Sequence, residues 1–143
     1  MKNAVVTGAG GGIGACITEL AVNLGYRVAA IDMQSDSVNE LADRLDNVIP
    51  LVADITDPES VRQAFDALGC APDLLVNNAG LVRFGPLEDL AVQDFQDVVN
   101  VNLVGSFIVA KEAAARMKTA GSGAIVNITS MGGIHPAPGS GAY

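Results

Sequence analysis

The sequence predicts an α/β fold built on a parallel, doubly wound sheet, and three observations lead to this prediction. Short apolar runs typical of buried strands alternate with segments of helical periodicity along the chain. A turn with five glycines in seven positions, residues 8–14, separates the first apolar run from the first helical segment. The 143 residues, 50% of them hydrophobic, are enough for one core and too few for two ordinary domains. The alternation implies right-handed crossovers within one parallel sheet.

The predicted strands are short apolar runs, and the residue just beyond the first helix supports their spacing. The strands cover residues 4–6, 27–32, 48–54, 73–77 and 123–130. Gly25 stands between the first helix and the second strand, where a glycine commonly adopts the left-handed conformation that ends a helix. The strand at residues 73–77 has the continuous apolar pattern of a strand buried on both faces.

The helices after the first are predicted from apolar periodicity and from their start signals. Residues 35–46 form one helix, whose apolar face consists of Val38, Leu41, Ala42 and Leu45. The next helix has Asp57 as its N-cap, Pro58 at its first position and Glu59 in its first turn. Its predicted buried face consists of Val61, Ala64, Phe65 and Leu68. A long helical stretch follows at about residues 92–118.

Composition excludes several classes of function. The formal net charge is −8 and the basic residues are scattered, so we expect no binding to nucleic acid. Cys16 and Cys70 have no metal-ligand spacing and are expected to be buried thiols in a reducing compartment, with the cytoplasm as the simplest location. The amino terminus has no apolar signal core, and no apolar run approaches membrane-spanning length, so no membrane partner is expected.

The glycine turn predicts a site for an anionic group. Its glycines allow positive φ angles or the close approach of another backbone or a ligand. The amide N–H groups at the start of the following helix are unpaired and carry partial positive charge, so a pyrophosphate is a natural ligand. The spacing of Gly8, Gly12 and Gly14 differs from the general G-x-G-x-x-G fingerprint of dinucleotide folds. The alternative is a glycine-rich loop that only turns the chain.

Asp32 lies at the carboxyl end of the second strand, about twenty residues after the glycines. In a dinucleotide fold, a carboxylate at this place accepts hydrogen bonds from the ribose hydroxyls and repels a 2′-phosphate. Neither the glycine turn nor Met33 supplies a cation for such a phosphate, which favours NAD over NADP. The alternative role of Asp32 is that of a helix N-cap or turn residue.

Four motifs together resemble the short-chain dehydrogenase/reductase family. They are the threonine and glycine turn at residues 7–14, Asn-Asn-Ala-Gly at residues 77–80, Asn102, and Ser130 with Tyr143 thirteen positions later. The resemblance covers the whole sequence, which corresponds to about the first half of a typical family member. It implies one Rossmann-type NAD-binding domain over residues 1–143, with strand order 3-2-1-4-5. The implied activity is NAD-dependent interconversion of a secondary alcohol and a ketone.

The resemblance also implies roles for individual residues. In the family, Asn102 holds a water in a proton relay through its main chain, Ser130 orients the substrate oxygen, and Tyr143 is the general acid/base. The implied cofactor-binding residues are Thr7, Gly8, Gly12, Ile13, Gly14, Asp32, Asp54, Ile55, Asn78, Ala79 and Gly80. Asp54 is equally explained as the cap of the following turn, and Asn102 as a polar residue at a helix bend.

The family's catalytic lysine lies four residues after the tyrosine and would stand at position 147. The final strands and the substrate-covering loop of a full-length member would also lie beyond Tyr143. We therefore expect residues 1–143 alone to have little dehydrogenase activity. The alternative function is a noncatalytic module that binds NAD or supports oligomerisation.

The long helical stretch at residues 92–118 predicts self-association. No charged residue occurs from Val98 to Ala110, and a helix that is apolar most of the way round must be buried on more than one side. The family commonly pairs this helix between subunits, which implies a homo-oligomer, and bends it near residues 101–103. His135 is expected in an exposed loop, while Arg83 and Phe84 are open candidates for contact with a small-molecule substrate.

Overall fold

A five-stranded parallel sheet forms the centre of the computed structural model, which describes residues 1–143. Its strands are β1 (Lys2–Thr7), β2 (Tyr26–Asp32), β3 (Val48–Val52), β4 (Leu74–Asn77) and β5 (Ala124–Asn127). Their order is β3-β2-β1-β4-β5 and every pairing is parallel. The predicted fold class and strand order are confirmed.

The chain has five α-helices. They are α1 (Gly12–Asn23), α2 (Ser35–Arg44), α3 (Pro58–Leu68), α4 (Val92–Val99) and α5 (Ser106–Ala120). Four of them, α1, α2, α3 and α5, pack on the two faces of the sheet. Alternate residues of β1 point to opposite faces: Val5 packs in the cluster with α3 and α5, and Val6 packs in the cluster with α1 and α2. The hydrophobic core is therefore two layers separated by the sheet.

The start of α3 agrees with its sequence signals. Asp57 is the N-cap, and its Oδ1 accepts a hydrogen bond of 3.0 Å from the amide of Glu59. All four predicted apolar residues of this helix are buried. Gly25 has a φ of +85° immediately after α1, as a glycine at that position should.

Three strands are shorter than predicted: β4 begins one residue later, at Leu74, and β3 and β5 differ by more. β3 ends at Val52, where its last pair is with Asp32 at the end of β2. β5 spans only Ala124–Asn127, because β4 offers four residues for pairing and no more. The residues after β5 leave the sheet and reach a 3₁₀ turn at Met131–Gly133, so Ser130 lies in a loop and not in a strand.

The long helix is interrupted where the resemblance placed its bend. A π-helical segment, Asn100–Gly105, joins α4 to α5. Gly105 ends this segment beside Ile55, and a Cβ at Gly105 would lie 2.8 Å from the Ile55 side chain. Absence of a side chain at this point lets the bent helix approach the loop that follows β3.

Two sequence expectations about burial and hydropathy are wrong. The helical stretch Val92–Ala120, including its π-helical segment, is long and apolar enough to cross a membrane, with a mean hydropathy of 1.3 in its most apolar window. This is weak evidence for a membrane, because a core helix of a soluble protein meets the same criteria.

Cys16 is exposed and Cys70 half-buried, whereas both were expected inside. Cys16 lies between Gly14 and Thr18 in sequence, but these two residues face the sheet and Cys16 points away from it.

Candidate functional site

The glycine turn is held in a conformation that tolerates few side chains. Gly8 has a φ of +63°, and a Cβ on it would lie 2.8 Å from the Cα of Ala79. A Cβ on Gly14 would collide with the Gly8 carbonyl oxygen and lie 2.8 Å from Nδ2 of Asn78. The first turn of α1 follows directly, with Gly11 as N-cap and no side chain capping its amides. The turn therefore presents uncapped N–H groups at a helix N-terminus.

Thr7 and Asn78 connect the end of β1 to the turn after β4. The buried Thr7 Oγ1 accepts hydrogen bonds of 3.1 Å from the amides of Asn78 and Ala79. In return, Asn78 Nδ2 donates to the carbonyl oxygens of Thr7 at 3.1 Å and Gly8 at 3.2 Å. These bonds fix the glycine turn against the Asn-Asn-Ala-Gly turn.

Asn77 makes the corresponding connection on the other side of β4. Its Nδ2 donates to the Ser106 carbonyl oxygen at 3.1 Å and to Asn127 Oδ1 at 3.0 Å. Asn77 is 4% exposed, so its amide must find protein partners. The carboxyl ends of β4 and β5 and the beginning of α5 are thereby joined.

A cleft of about 340 Å³, here called the glycine cleft, opens at the carboxyl ends of β1, β2 and β4. Its lining residues are Gly8, Gly11, Gly12, Ile13, Gly14, Asp32, Asn78, Ala79 and Gly80. Most of the residues that the sequence assigned to the cofactor are thus brought together, with Thr7 buried beneath them. No lysine or arginine lines this cleft.

Asp54 and Ile55, also assigned to the cofactor, do not line the glycine cleft. Asp54 Oδ1 accepts hydrogen bonds from the amide and the hydroxyl of Thr56, at 2.8 and 2.7 Å. This is the turn-capping role that the sequence left open as an alternative. Ile55 is 7% exposed and packs beside Gly105.

Asp32 is oriented by two backbone amides. Its Oδ2 accepts a hydrogen bond of 3.0 Å from Gly10 in the glycine turn, and its Oδ1 accepts one of 3.1 Å from Gln34. Asp32 therefore does stabilise the local turns, which is the alternative role given above. Because Asp32 also lines the glycine cleft, each carboxylate oxygen has a further lone pair for a ligand hydroxyl.

A second cleft of about 580 Å³, here called the tyrosine cleft, adjoins the first and shares Ile13 and residues 78–80 with it. Asn102, Ser130 and Tyr143 all line it. Ser130 Oγ accepts a hydrogen bond of 3.0 Å from the amide of Gly132. A Cβ on Gly132 would lie 3.3 Å from both Ser130 Oγ and the Tyr143 ring, so the serine and tyrosine flank the same glycine.

The side chain of Asn102 is engaged with the backbone of Leu81. Its Oδ1 accepts from the Leu81 amide at 2.7 Å, and its Nδ2 donates to the Leu81 carbonyl oxygen at 2.8 Å. The bend that positions Asn102 is the π-helical segment, a feature frequently found at functional sites. Both readings of Asn102, as a bend residue and as a site residue, are compatible with this geometry.

The remaining candidates lie outside both clefts. Arg83 Nε is 3.4 Å from Asp94 Oδ1, and the Phe84 side chain is 68% exposed. His135 is exposed in the loop before Tyr143, as expected. None of the three lines either cleft.

Some contributors to the site were not identified from the sequence. Asn127 occupies the position in β5 that Asn77 occupies in β4, and a polar residue ending each of two adjacent strands was an available signal. Gly85 and Gly139 form a backbone contact between two loops. That contact has no local sequence signal, because the two residues are 54 positions apart.

Comparison with known proteins gives a consistent result. A family model described as short chain dehydrogenase matches residues 2–143. D-threitol dehydrogenase of Mycolicibacterium smegmatis is 38% identical over 136 residues, covering 90% of this chain and 52% of that protein. A probable NADP-dependent dehydrogenase of Haemophilus influenzae is 32% identical, covering 98% and 58%. The 3-oxoacyl-[acyl-carrier-protein] reductase FabG of Thermotoga maritima is 32% identical, covering 99% and 61%. The chain thus spans little more than half the length of these relatives.

The geometry of the glycine turn predicts different effects for two Gly→Ala substitutions in one helix turn. Gly14→Ala should lower the free energy of unfolding by about 1–3 kcal/mol, because the new Cβ meets backbone that must shift. Gly12→Ala should leave it unchanged within about 0.5 kcal/mol, since no atom lies within 4 Å of its added Cβ. Urea denaturation of both variants measures this, and equal stabilities would contradict the described packing.

Proposed function

We propose, because this chain belongs to the short-chain dehydrogenase/reductase family, that its protein is an oxidoreductase interconverting a secondary alcohol and a ketone with a nicotinamide dinucleotide. The observation that carries the proposal is the adjacency of the two clefts. The glycine cleft offers uncapped amides to a dinucleotide, and the tyrosine cleft beside it contains Asn102, Ser130 and Tyr143. A cofactor in the first and a substrate in the second would lie in contact.

The residues of the glycine cleft fit a dinucleotide. The first-turn amides of α1 would bind the pyrophosphate, and absence of side chains at Gly8 and Gly12 leaves its backbone accessible. Ala79 and Gly80 border the same cleft with little bulk. When bound, the nicotinamide supplies the hydride acceptor or donor.

Ser130 and Tyr143 would handle the substrate oxygen. The serine hydroxyl would orient it by a hydrogen bond, and the tyrosine hydroxyl would give it a proton during reduction or take one during oxidation. Tyrosine ordinarily has a pKa of about 10, which makes it a poor proton donor and acceptor near neutral pH. A nearby cation lowers such a pKa, and the family lysine expected at position 147 would provide that charge.

We propose NAD as the cofactor. The Asp32 carboxylate lines the glycine cleft, is fixed by Gly10 and Gln34, and would repel a 2′-phosphate. No cation lines the cleft to offset that repulsion. The relatives include a probable NADP-dependent dehydrogenase, so cofactor choice needs its own test.

Asp32→Asn should reduce the preference for NAD over NADP. The amide keeps one oxygen acceptor while removing the negative charge, so the ratio of the two dissociation constants should fall about tenfold or more. Asp46→Asn, which removes an exposed carboxylate outside both clefts, is the matched control and should leave the ratio unchanged. Titration calorimetry with NAD and NADP measures both. A wild-type preference for NADP would contradict the assignment.

Turnover by the whole protein that its gene encodes tests the proposed reaction. We expect NAD-dependent oxidation of secondary alcohols, in a panel that includes polyols because one relative is a threitol dehydrogenase. Tyr143→Phe should lower kcat about 10²–10⁴-fold by removing the proton-transfer group. A polypeptide of residues 1–143 alone, of 14.6 kDa, should show little turnover. Cofactor binding without turnover by the gene product would instead favour the noncatalytic module.

We also propose that the protein is a homo-oligomer that pairs through residues 92–118. The π-helical segment and α5 expose large apolar side chains, with Leu103 68% and Phe107 64% exposed. Val92 and Phe95 of α4 add to this surface at 73% and 47% exposure. Exposed apolar patches of this kind mark interaction sites, and the same helix in a second copy is apolar enough to cover it.

Charges placed on this surface should dissociate the oligomer. The double variant Leu103→Glu with Phe107→Glu should shift the mass measured by light scattering to that of the monomer, because two carboxylates would be buried without partners. Leu24→Glu is the control, since Leu24 is also 68% exposed but lies beyond α1. A monomeric wild-type protein, or binding of the wild type to phosphatidylcholine vesicles through this helix, would overturn the proposal.

A further inference from the structure

The loop that carries Tyr143 has a single hydrogen-bonded attachment to the rest of the chain. Residues 130–143 form several bonds among themselves, as in the 3₁₀ turn and the turn at residues 137–140. Only one bond leaves this loop, from the Gly85 amide to the Gly139 carbonyl oxygen, at 2.9 Å. Gly85 and Ser140 also form an isolated parallel bridge there. The position of the loop end therefore depends on this contact.

The attachment on the other side is made by the segment at residues 81–87, here called the tether. Leu81 at its start is bonded through both backbone groups to Asn102. Gly85 bonds to Gly139, and Leu87 packs beside Gly141, where a Cβ would lie 3.1 Å from the leucine methyl group. The tether thus connects the Asn-Asn-Ala-Gly turn and the π-helical segment to the loop of Tyr143.

The route from Gly139 to Tyr143 is short and hydrogen-bonded. The Ser140 amide donates to the Ala137 carbonyl oxygen at 3.1 Å, and the Tyr143 amide donates to the Ser140 carbonyl oxygen at 3.0 Å. Ala142 is 7% exposed. A displacement of Gly139 would therefore be passed on to Tyr143.

We propose that Gly85 and Gly139 are positioning residues that set where the Tyr143 hydroxyl stands relative to Ser130 and the glycine cleft. Gly139 is suited to this role because its φ is +77°, a conformation that L side chains rarely adopt, and its carbonyl oxygen receives the bond from Gly85. A Cβ on Gly139 would be 3.4 Å from the Gly85 carbonyl oxygen, an ordinary contact. The constraint at Gly139 is therefore its backbone conformation and not a lack of space. This inference rests on the proposed role of Tyr143 as the proton-transfer residue.

Gly139→Ala tests the inference, and Gly69→Ala is a closely matched control. Gly69 has the same φ of +77°, lies at the end of α3, and has no atom within 4 Å of an added Cβ. Both substitutions force alanine into one strained conformation, but only the first acts on the loop of Tyr143. In the protein from its uninterrupted gene, we expect Gly139→Ala to lower kcat at least about tenfold, as misplacement of a catalytic group does. The dissociation constant of the cofactor should stay within about twofold of wild type, since the glycine cleft is untouched.

Gly139→Asn should restore most of the lost kcat, because asparagine tolerates positive φ better than alanine does. A kcat for Gly139→Ala equal to that of Gly69→Ala, or no recovery with asparagine, would overturn the inference. Fluorine NMR of protein labelled with 3-fluorotyrosine gives a second readout that needs no turnover. The Tyr143 signal, assigned from Tyr143→Phe, should shift in Gly139→Ala and not in Gly69→Ala, with Tyr26 in β2 as an internal reference.

The two readouts separate this inference from the proposed function. A wild-type protein with no turnover would remove the proposed reaction, while the fluorine signal would still report whether Gly139 positions Tyr143. A Tyr143 signal that is the same in both glycine variants would overturn the inference even in an active enzyme.

Discussion

The hydrogen bonds of Asn77 and Asn78 are the constraint on which both clefts depend. Backbone carbonyl groups at or beyond the ends of the strands need hydrogen-bond donors from outside the sheet. The side-chain amides of these two adjacent residues donate to three of them, those of Thr7, Gly8 and Ser106. Asn78 holds the glycine turn after β1, while Asn77 holds β5 and the start of α5. Loss of either amide would remove two part-buried hydrogen bonds, each of which contributes about 0.5–1.5 kcal/mol. These bonds join the elements at the carboxyl edge of the sheet, where both clefts lie.

Local sequence signals predicted the elements whose cause is local. The start of α3 was readable because Asp57, Pro58 and Glu59 each act within one turn of the helix. The end of β5 could not be predicted from its own sequence, because it depends on β4, which has four residues that pair with β5. The prediction that Cys16 is buried was wrong for a similar reason. Cysteine is a residue type that favours the interior, but α1 is oriented with Gly14 and Thr18 toward the sheet, which leaves Cys16 exposed.

Which site residues could be predicted from the sequence also depended on whether their signal is local. The glycine turn, Asp32 and the Asn-Asn-Ala-Gly turn were predicted because each follows a strand, and strand ends meet at one edge of a parallel sheet. Asp54 was ambiguous because its short side chain suits both a ligand and the turn it caps, and only the three-dimensional structure shows its bonds to Thr56. The contact of Gly85 with Gly139 could not be predicted from the sequence, because it depends on the backbone angle of Gly139 and on a partner far away in the chain.

Under the proposed function, these 143 residues, with a net charge of −8, would hold an anionic dinucleotide against the repulsion of their own charge. The glycine cleft would do so through short-range interactions. Backbone amides at a helix N-terminus act over a few ångströms, whereas repulsion between distant surface carboxylates and the ligand is screened beyond about 8 Å at physiological salt. Asp32 is the exception, because it stands inside the cleft. Its charge acts at a distance where screening is weak, so under the proposed function Asp32 is the carboxylate that would discriminate between dinucleotides that differ by a phosphate.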